Sequence, residues 1–243
     1  IVTRAPTGEF GGRASAGMGN FGAYSGQLRI DLPEVAGFAF KIDAGLQHQD
    51  ATTENPLEGQ VGWNYFHRYG GRIAARWEPT NTITADFSAD LGRDKNTAFL
   101  SQLINYNPTN RPVATLAQIV ANNNRLPSGF VAPLPSLLQV QPDRVSTADI
   151  GVPQQPSVGK TFGVVSNIKW RPFDGIEIRS ITAWRTVSDR QFDNSGGANR
   201  TPTFLPNATF SRYSLATLDQ RQFSQEIQAV GNTDTVDYVL GLY

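Results

Sequence analysis

Apolar and polar residues alternate with period 2 along much of the chain, the spacing of half-buried β-strands, and no segment carries sustained helical periodicity. The clearest segment puts Phe38, Phe40, Ile42, Ala44 and Leu46 on one face and Ala39, Lys41, Asp43, Gly45 and Gln47 on the other. The segment before it sets Tyr24, Gly26, Leu28, Ile30 and Leu32 against Ser25, Gln27, Arg29 and Asp31. Two more follow, with Tyr69, Gly71, Ile73, Ala75 and Trp77 against Arg68, Arg72 and Arg76, then Ile83, Ala85, Phe87, Ala89 and Leu91 against Thr82, Thr84, Asp86, Ser88 and Asp90. Beyond residue 160 the pattern resumes with Phe162, Val164, Ile168 and Trp170 opposite Thr161, Asn167 and Lys169. A mixed strand over residues 176–187, a weak one over 223–229, a last one over 236–242 and a Gly-rich first one over 11–19 bring the expected number to nine. A short helix is expected over residues 112–121, inside a long loop.

The lengths of the connections alternate. Leu32-Pro33-Glu34-Val35-Ala36-Gly37, Glu78-Pro79-Thr80, Arg171-Pro172-Phe173-Asp174-Gly175 and Gly231-Asn232-Thr233-Asp234 read as tight turns, with long connections over residues 48–66, 93–159 and 189–220 between them. A soluble domain seldom holds a structureless connection much above about 12–15 residues, whereas outer-membrane barrels pair short periplasmic turns with long extracellular loops. The fold class expected is therefore all-β: an antiparallel up-and-down meander forming part of a transmembrane β-barrel wall. Two turns share a signature, Trp77-Glu78-Pro79 and Trp170-Arg171-Pro172, which puts a Trp at a strand end where its ring would sit at the lipid headgroups. The Pro that follows lacks an N–H and is expected to stop the ladder.

In this reading Tyr24, Leu28, Ile30, Phe38, Phe40, Ile42, Leu46, Ile73, Trp77, Ile83, Phe87, Leu91, Phe162, Val164, Ile168 and Trp170 face lipid, and Arg29, Lys41, Asp43, Arg68, Arg72, Arg76, Asp86 and Asp90 face the lumen. Parity constrains the hairpin register, because a slip of one residue would put apolar opposite polar. A three-residue loop Glu78-Pro79-Thr80 predicts cross-strand pairs Arg72–Asp86 and Arg68–Asp90. The alternative is a secreted soluble β-sandwich binding a carbohydrate or another protein, with a second sheet over the apolar face and a solvated polar face.

Composition fits the half-wetted strand. The 243 residues are 17% charged, low for a globular chain of ~25%, and formally neutral, which leaves no basic footprint for nucleic acid. Absence of cysteine excludes a disulfide scaffold, a thiolate metal site and cysteine catalysis. No run of about 18 apolar residues marks a transmembrane helix and no leader marks a signal peptide, which leaves strands that cross a membrane open. The chain opens on Ile1 rather than Met and closes on Tyr243 inside an alternating stretch, so both ends are expected to be cut.

Several motifs resemble the TonB-dependent outer-membrane receptors. Ile1-Val2-Thr3-Arg4-Ala5-Pro6-Thr7 is similar to the segment where the plug domain of that family hands over to its barrel. Glu9-Phe10-Gly11-Gly12 and Gly17-Met18-Gly19-Asn20-Phe21-Gly22 resemble the first barrel hairpin, and Ser180-Ile181-Thr182-Ala183-Trp184-Arg185 and Phe223-Ser224-Gln225-Glu226-Ile227 resemble later strands. Tyr238-Val239-Leu240-Gly241-Leu242-Tyr243 resembles the next strand. The resemblance implies a 22-stranded barrel occluded by a plug, importing iron chelates, vitamin B12 or oligosaccharides with inner-membrane energy. Residues 1–8 would be the end of the plug and 9–243 the first part of the barrel. Partners so implied are outer-membrane lipid, the plug and remaining barrel of the parent chain, the TonB complex through a region outside this sequence, and a small-molecule ligand.

No enzyme and no cofactor is expected. Gly17-Met18-Gly19-Asn20-Phe21-Gly22 has the bare dinucleotide-binding spacing but is followed by a strand rather than a helix, so glycines serving a strand-end turn explain it better. Gly159-Lys160-Thr161 ends like a phosphate loop, yet Gln154 stands where its first Gly is required. His48 and His67 flank a loop without an H-E-x-x-H arrangement and are expected to be exposed polar loop residues rather than metal ligands. Asp86, Asp90 and Asp94 are spread over about 26 Å of strand, too far for one calcium site. The loops carry Phe99, Tyr106, Phe130, Phe192, Phe204, Phe210 and Tyr213 with Arg111, Arg125, Arg200 and Arg212, which serve either as ligand-capturing groups or as the loops' own small core.

Overall fold

The computed structural model describes residues 4–134, 140–148, 154–193, 201–202, 209–210 and 214–243. Nine long strands form one antiparallel sheet: β1 (Gly11–Met18), β2 (Tyr24–Val35), β3 (Phe38–Gln49), β4 (Phe66–Thr80), β5 (Ile83–Asn96), β6 (Ser157–Phe173), β7 (Ile176–Asp193), β10 (Ser214–Asn232) and β11 (Asp237–Leu242). Their spatial order follows the chain from β1 to β11, so the sheet is an unclosed meander, a partial barrel. A two-stranded ribbon, β8 (Thr201–Pro202) with β9 (Thr209–Phe210), stands apart from it. The expected helix is α1 (Leu116–Ala121), started by a reciprocal cap between Thr115 and Gln118 that satisfies the first orphan N–H groups. No helix among the described residues is long and apolar enough to cross a membrane. The soluble sandwich requires a second sheet over the first, and these residues do not form one.

The strands run further into the loops than alternation indicates. β5 reaches Asn96, β7 reaches Asp193 and β10 begins at Ser214, so the long connections shrink to residues 50–65, 97–156 and 194–213. Residues 214–223 explain the difference: exposed on both faces, they hydrogen-bond to β7 residue by residue without a one-sided apolar pattern. Periodicity reports a strand whose two faces differ in polarity; it is silent where apolar and polar residues are mixed on both faces, as over residues 214–223.

The tight turns correct the expected role of proline. Pro33, Pro79 and Pro172 lie inside β2, β4 and β6, each in a bulge at the same place in its hairpin. Between Leu32 and Val35, Trp77 and Thr80, and Trp170 and Phe173, two residues face one on the partner strand. The proline sits where a ladder bond is already interrupted, so its missing N–H costs little. The turns themselves fall at residues 36–37, 81–82 and 174–175. In the first, Ala36 and Gly37 have φ of 51° and 80°, the doubly left-handed backbone that matches the twist of a two-residue hairpin.

The same bulge changes the predicted register. A two-residue turn plus one extra residue on β4 keeps the parity but slides each charge pair by four positions, so that Asp86 faces Arg76, Asp90 faces Arg72 and Asp94 faces Arg68. The predicted Arg72–Asp86 and Arg68–Asp90 pairs are therefore wrong. Arg76 holds Asp86 through two bonds of 2.8 and 2.9 Å, Arg68 holds Asp94 at 2.8 Å, and Asp90 is taken at 2.8 Å by Arg185 from β7. A double-mutant cycle on Arg76 and Asp86 should give a coupling of about 0.2–1 kcal/mol, with none between Arg72 and Asp86.

Candidate functional site

The register carries the two faces across the whole sheet. Phe38 is opposite Trp77, Ile42 opposite Ile73, Ile73 opposite Ala89, Ala89 opposite Val164, Val164 opposite Trp184 and Trp184 opposite Phe223. All sixteen residues from Tyr24 to Trp170 expected on the apolar face lie on one side, and Arg29, Lys41, Asp43, Arg68, Arg72, Arg76, Asp86 and Asp90 lie on the other. The apolar side is uncovered: Leu28, Leu46, Ile73, Leu91, Trp170, Phe223 and Leu240 are all exposed, Ile73 to 56%.

Aromatic rings close this band at both ends. At the tight-turn end Trp77 stacks on Phe38 with centroids 5.5 Å apart and planes 8° apart, and Phe38 lies 5.9 Å from Phe40. At the long-loop end Tyr24, His48, His67 and Tyr69 form a row with successive centroids at 4.8, 5.4 and 6.0 Å, and Tyr65 meets His48 edge-on at 5.7 Å. Burial raises the Tyr65 phenol above its ordinary pKa. From His67 to Trp77 the strand covers about 33 Å, or about 23 Å of height at a 45° tilt. The histidines thus correct an expectation. They belong to β3 and β4, face each other directly, and share the parity of the apolar residues; that parity was the available signal.

Three polar side chains interrupt the apolar side on β7 and β10 and satisfy one another. Thr182 donates to Gln225 Oε1 at 2.5 Å, and Gln225 Nε2 donates to Ser180 at 3.1 Å. The match removes most of the cost of placing them among apolar neighbours.

The polar side carries a charge lattice and a crossing segment. Arg29 and Lys41 share the Asp43 carboxylate at 2.8 and 3.1 Å. Lys41, only 2% exposed, also donates to the carbonyl of Arg4 at 3.1 Å. Thr7 N–H donates to Asp31 and Glu34 N–H to the carbonyl of Gly8, so residues 4–8 lie along the polar face of β2 and β3 toward the tight-turn end. Beside them opens a cavity of about 220 Å³ lined by Arg4, Pro6, Arg72, Arg76, Asp86 and Asn167.

Above the sheet, the described residues of 50–65, 97–134 and 140–148 form one small core around Trp63, a residue that sequence reading does not single out. Trp63, 2% exposed, packs against Leu100 and Ala148. Its N–H donates to the Thr53 carbonyl, Thr97 Oγ1 donates to the Gly62 carbonyl at 2.8 Å, and Glu54 forms an isolated parallel bridge to Thr147, its N–H donating to the Ser146 carbonyl and its carbonyl accepting from Ala148 N–H. Gln102 clamps the Gln141 and Asp143 carbonyls at 2.5 and 2.6 Å. Of the loop candidates, Phe99, Arg111 and Arg125 are exposed, Tyr106 buries a hydroxyl that has no partner among the described residues, and Phe192 is half-buried beside the Ser157 anchor at the top of β6. Arg200, Phe204 and Tyr213 lie outside the described residues, as does Arg212. None of Phe99, Tyr106, Arg111, Arg125 and Phe192 lines the cavity beside residues 4–6, or the groove of about 530 Å³ that runs along Arg13, Gln27, Arg29, Asp43 and Arg72. No group of three or more metal-ligating side chains occurs among the described residues, and Asp86, Asp90 and Asp94 are each engaged by an arginine.

No family model matches the chain, and no curated protein matches it. Solved structures do. The ferric-catecholate import receptor Fiu from E. coli K12, in its closed form, superposes with a TM-score of 0.65 at 14% identity, over 99% of this chain and 32% of Fiu. The ferric yersiniabactin uptake receptor FyuA from Yersinia pestis gives 0.61 at 18% identity, over 99% and 31%. The siderophore receptor PiuA from Acinetobacter baumannii gives 0.62 at 10% identity, over 96% and 29%. The chain spans about a third of the length of these receptors, and at such identities the likeness is one of fold. The shared fold is an antiparallel meander that forms part of a barrel wall.

Proposed function

We propose that the chain is one arc of the wall of an outer-membrane receptor that imports an iron chelate with energy from TonB. The observation that carries the reading is a one-layer sheet with an uncovered apolar side between two aromatic rims and a polar side crossed by residues 4–8. Lipid covers the first side, taking the sixteen apolar residues, and the second lines a lumen that the plug fills, with residues 1–8 as the end of that plug. Loops over residues 50–65, 97–156 and 194–213 lie outside the cell and contribute to ligand capture. Both sheet edges join further strands of the parent chain, since unpaired backbone groups cannot stand in hydrocarbon. An iron chelate is favoured over vitamin B12 or an oligosaccharide because the similar structures are named for ferric siderophore import and uptake.

Deleting the parent gene should abolish growth on one class of ferric siderophore under iron limitation, and a TonB deletion should do the same. The purified full-length receptor should bind that chelate and neither cyanocobalamin nor oligosaccharide; binding of either of the latter alone would overturn the substrate assignment. Replacing Arg111 and Arg125 together with Ala should weaken binding of an anionic chelate about tenfold while the barrel still assembles.

A further inference from the structure

We propose that His48 and His67 form a two-imidazole binding site for a borderline divalent transition-metal ion of the Zn²⁺ class, at the long-loop rim of the apolar side. The site stands on local geometry and goes beyond the transport reading. The two residues are direct cross-strand partners on β3 and β4, and their Nδ1 atoms approach to 3.4 Å. Two imidazole nitrogens bound to one tetrahedral ion at ~2.05 Å lie about 3.3 Å apart, so the pair already has the spacing of two cis ligands.

The proton arrangement suits this. His48 Nε2 lies 3.1 Å from Asp50 Oδ1. An ionised carboxylate only accepts, so His48 Nε2 carries the hydrogen and Nδ1 presents a bare lone pair toward His67. Asp50 is thereby a positioning residue of the kind that orients metal-binding imidazoles. Without an ion, His67 Nδ1–H donates to His48 Nδ1; with one, His67 carries its hydrogen on Nε2 and both Nδ1 lone pairs are free for the metal. Asp50 is itself held, its N–H donating to the Phe21 carbonyl at 2.9 Å, while Gly22 (φ 60°) leaves space that a Cβ would take from the carboxylate. The rings are braced by Tyr24, Tyr65 and Tyr69. Lys95 is the cross-strand partner of His67, and its ammonium turns over the Tyr65 ring, 5.7 Å from the centroid. Two protein ligands leave the remaining positions to water.

The test is titration of the chelator-stripped full-length receptor with Zn²⁺ against a chromophoric chelator. The wild type should bind one equivalent more than His48→Phe or His67→Phe, substitutions that keep a ring in the row without a donor. Asp50→Asn should weaken that equivalent about tenfold, and Ca²⁺ or Mg²⁺ should not displace it. Zn²⁺ should raise the unfolding temperature of the wild type and of neither Phe variant. Equal stoichiometry in wild type and both Phe variants, or displacement by Mg²⁺, would overturn the site.

Discussion

Ile73→Arg should destabilise the assembled barrel by about 2–4 kcal/mol in a bilayer, the cost of a guanidinium at the midplane of a lipid-facing strand. Ile73 lies between the His67 and Trp77 rims, opposite Ile42 on one neighbour and Ala89 on the other. The size of the effect is informative because Ile73 is 56% exposed. On a water-facing surface such a change falls within about 0.5 kcal/mol, and next to it Arg72 already occupies the other side of the same strand. Reversible unfolding of the full-length receptor from vesicles measures both. Ile73→Arg should lower the unfolding free energy by the stated amount and Arg72→Ile by far less.

Trp63→Ala should cost about 3–5 kcal/mol, confined to the loops. Trp63 is almost wholly enclosed in the loop core, touching Leu100 and Ala148 from a second loop. Its removal leaves a cavity that the surrounding backbone bonds, from Thr53, Thr97 and Gly62, prevent from closing. The strands below have their own ladder, so the sheet should survive. Limited proteolysis of the receptor in vesicles should show new cleavage within residues 50–65 and 97–148 and none within β3–β6, together with weaker chelate binding. Loss of the whole barrel would mean that loop core and wall fold as one unit.

The contrast between these sites explains what the sequence could express. The strands over residues 24–46 and 69–91 were legible because one side is apolar and the other polar, and a period of 2 cannot satisfy both sides in any other register. Strand β10 is half hidden, since residues 214–223 mix apolar and polar side chains on both faces. Parity fixes which residues share a side but leaves the slide between partners free, so a three-residue loop matches Arg72 to Asp86 where the structure has Arg76. The deciding feature was a bulge at Glu78-Pro79, and proline there reads equally as the end of a strand. Trp63 and the His48–His67 pair were missed for a related reason. Their contacts join segments through loops or across a register that no local pattern specifies.

The central claim is that the apolar side of the sheet faces lipid. Single cysteines at 73, 87 and 164, and at 72, 88 and 165 on the other side, can carry nitroxides, since this stretch has no cysteine of its own. In the full-length receptor in vesicles, collision with dissolved oxygen and with a water-soluble nickel chelate reports each environment. The account predicts high oxygen and low nickel-chelate accessibility at 73, 87 and 164, and loss of that preference at 72, 88 and 165. Low accessibility to both relaxers at 73, 87 and 164 would mean that a further protein layer covers them, and high accessibility to the nickel chelate there would mean water; either result contradicts the account.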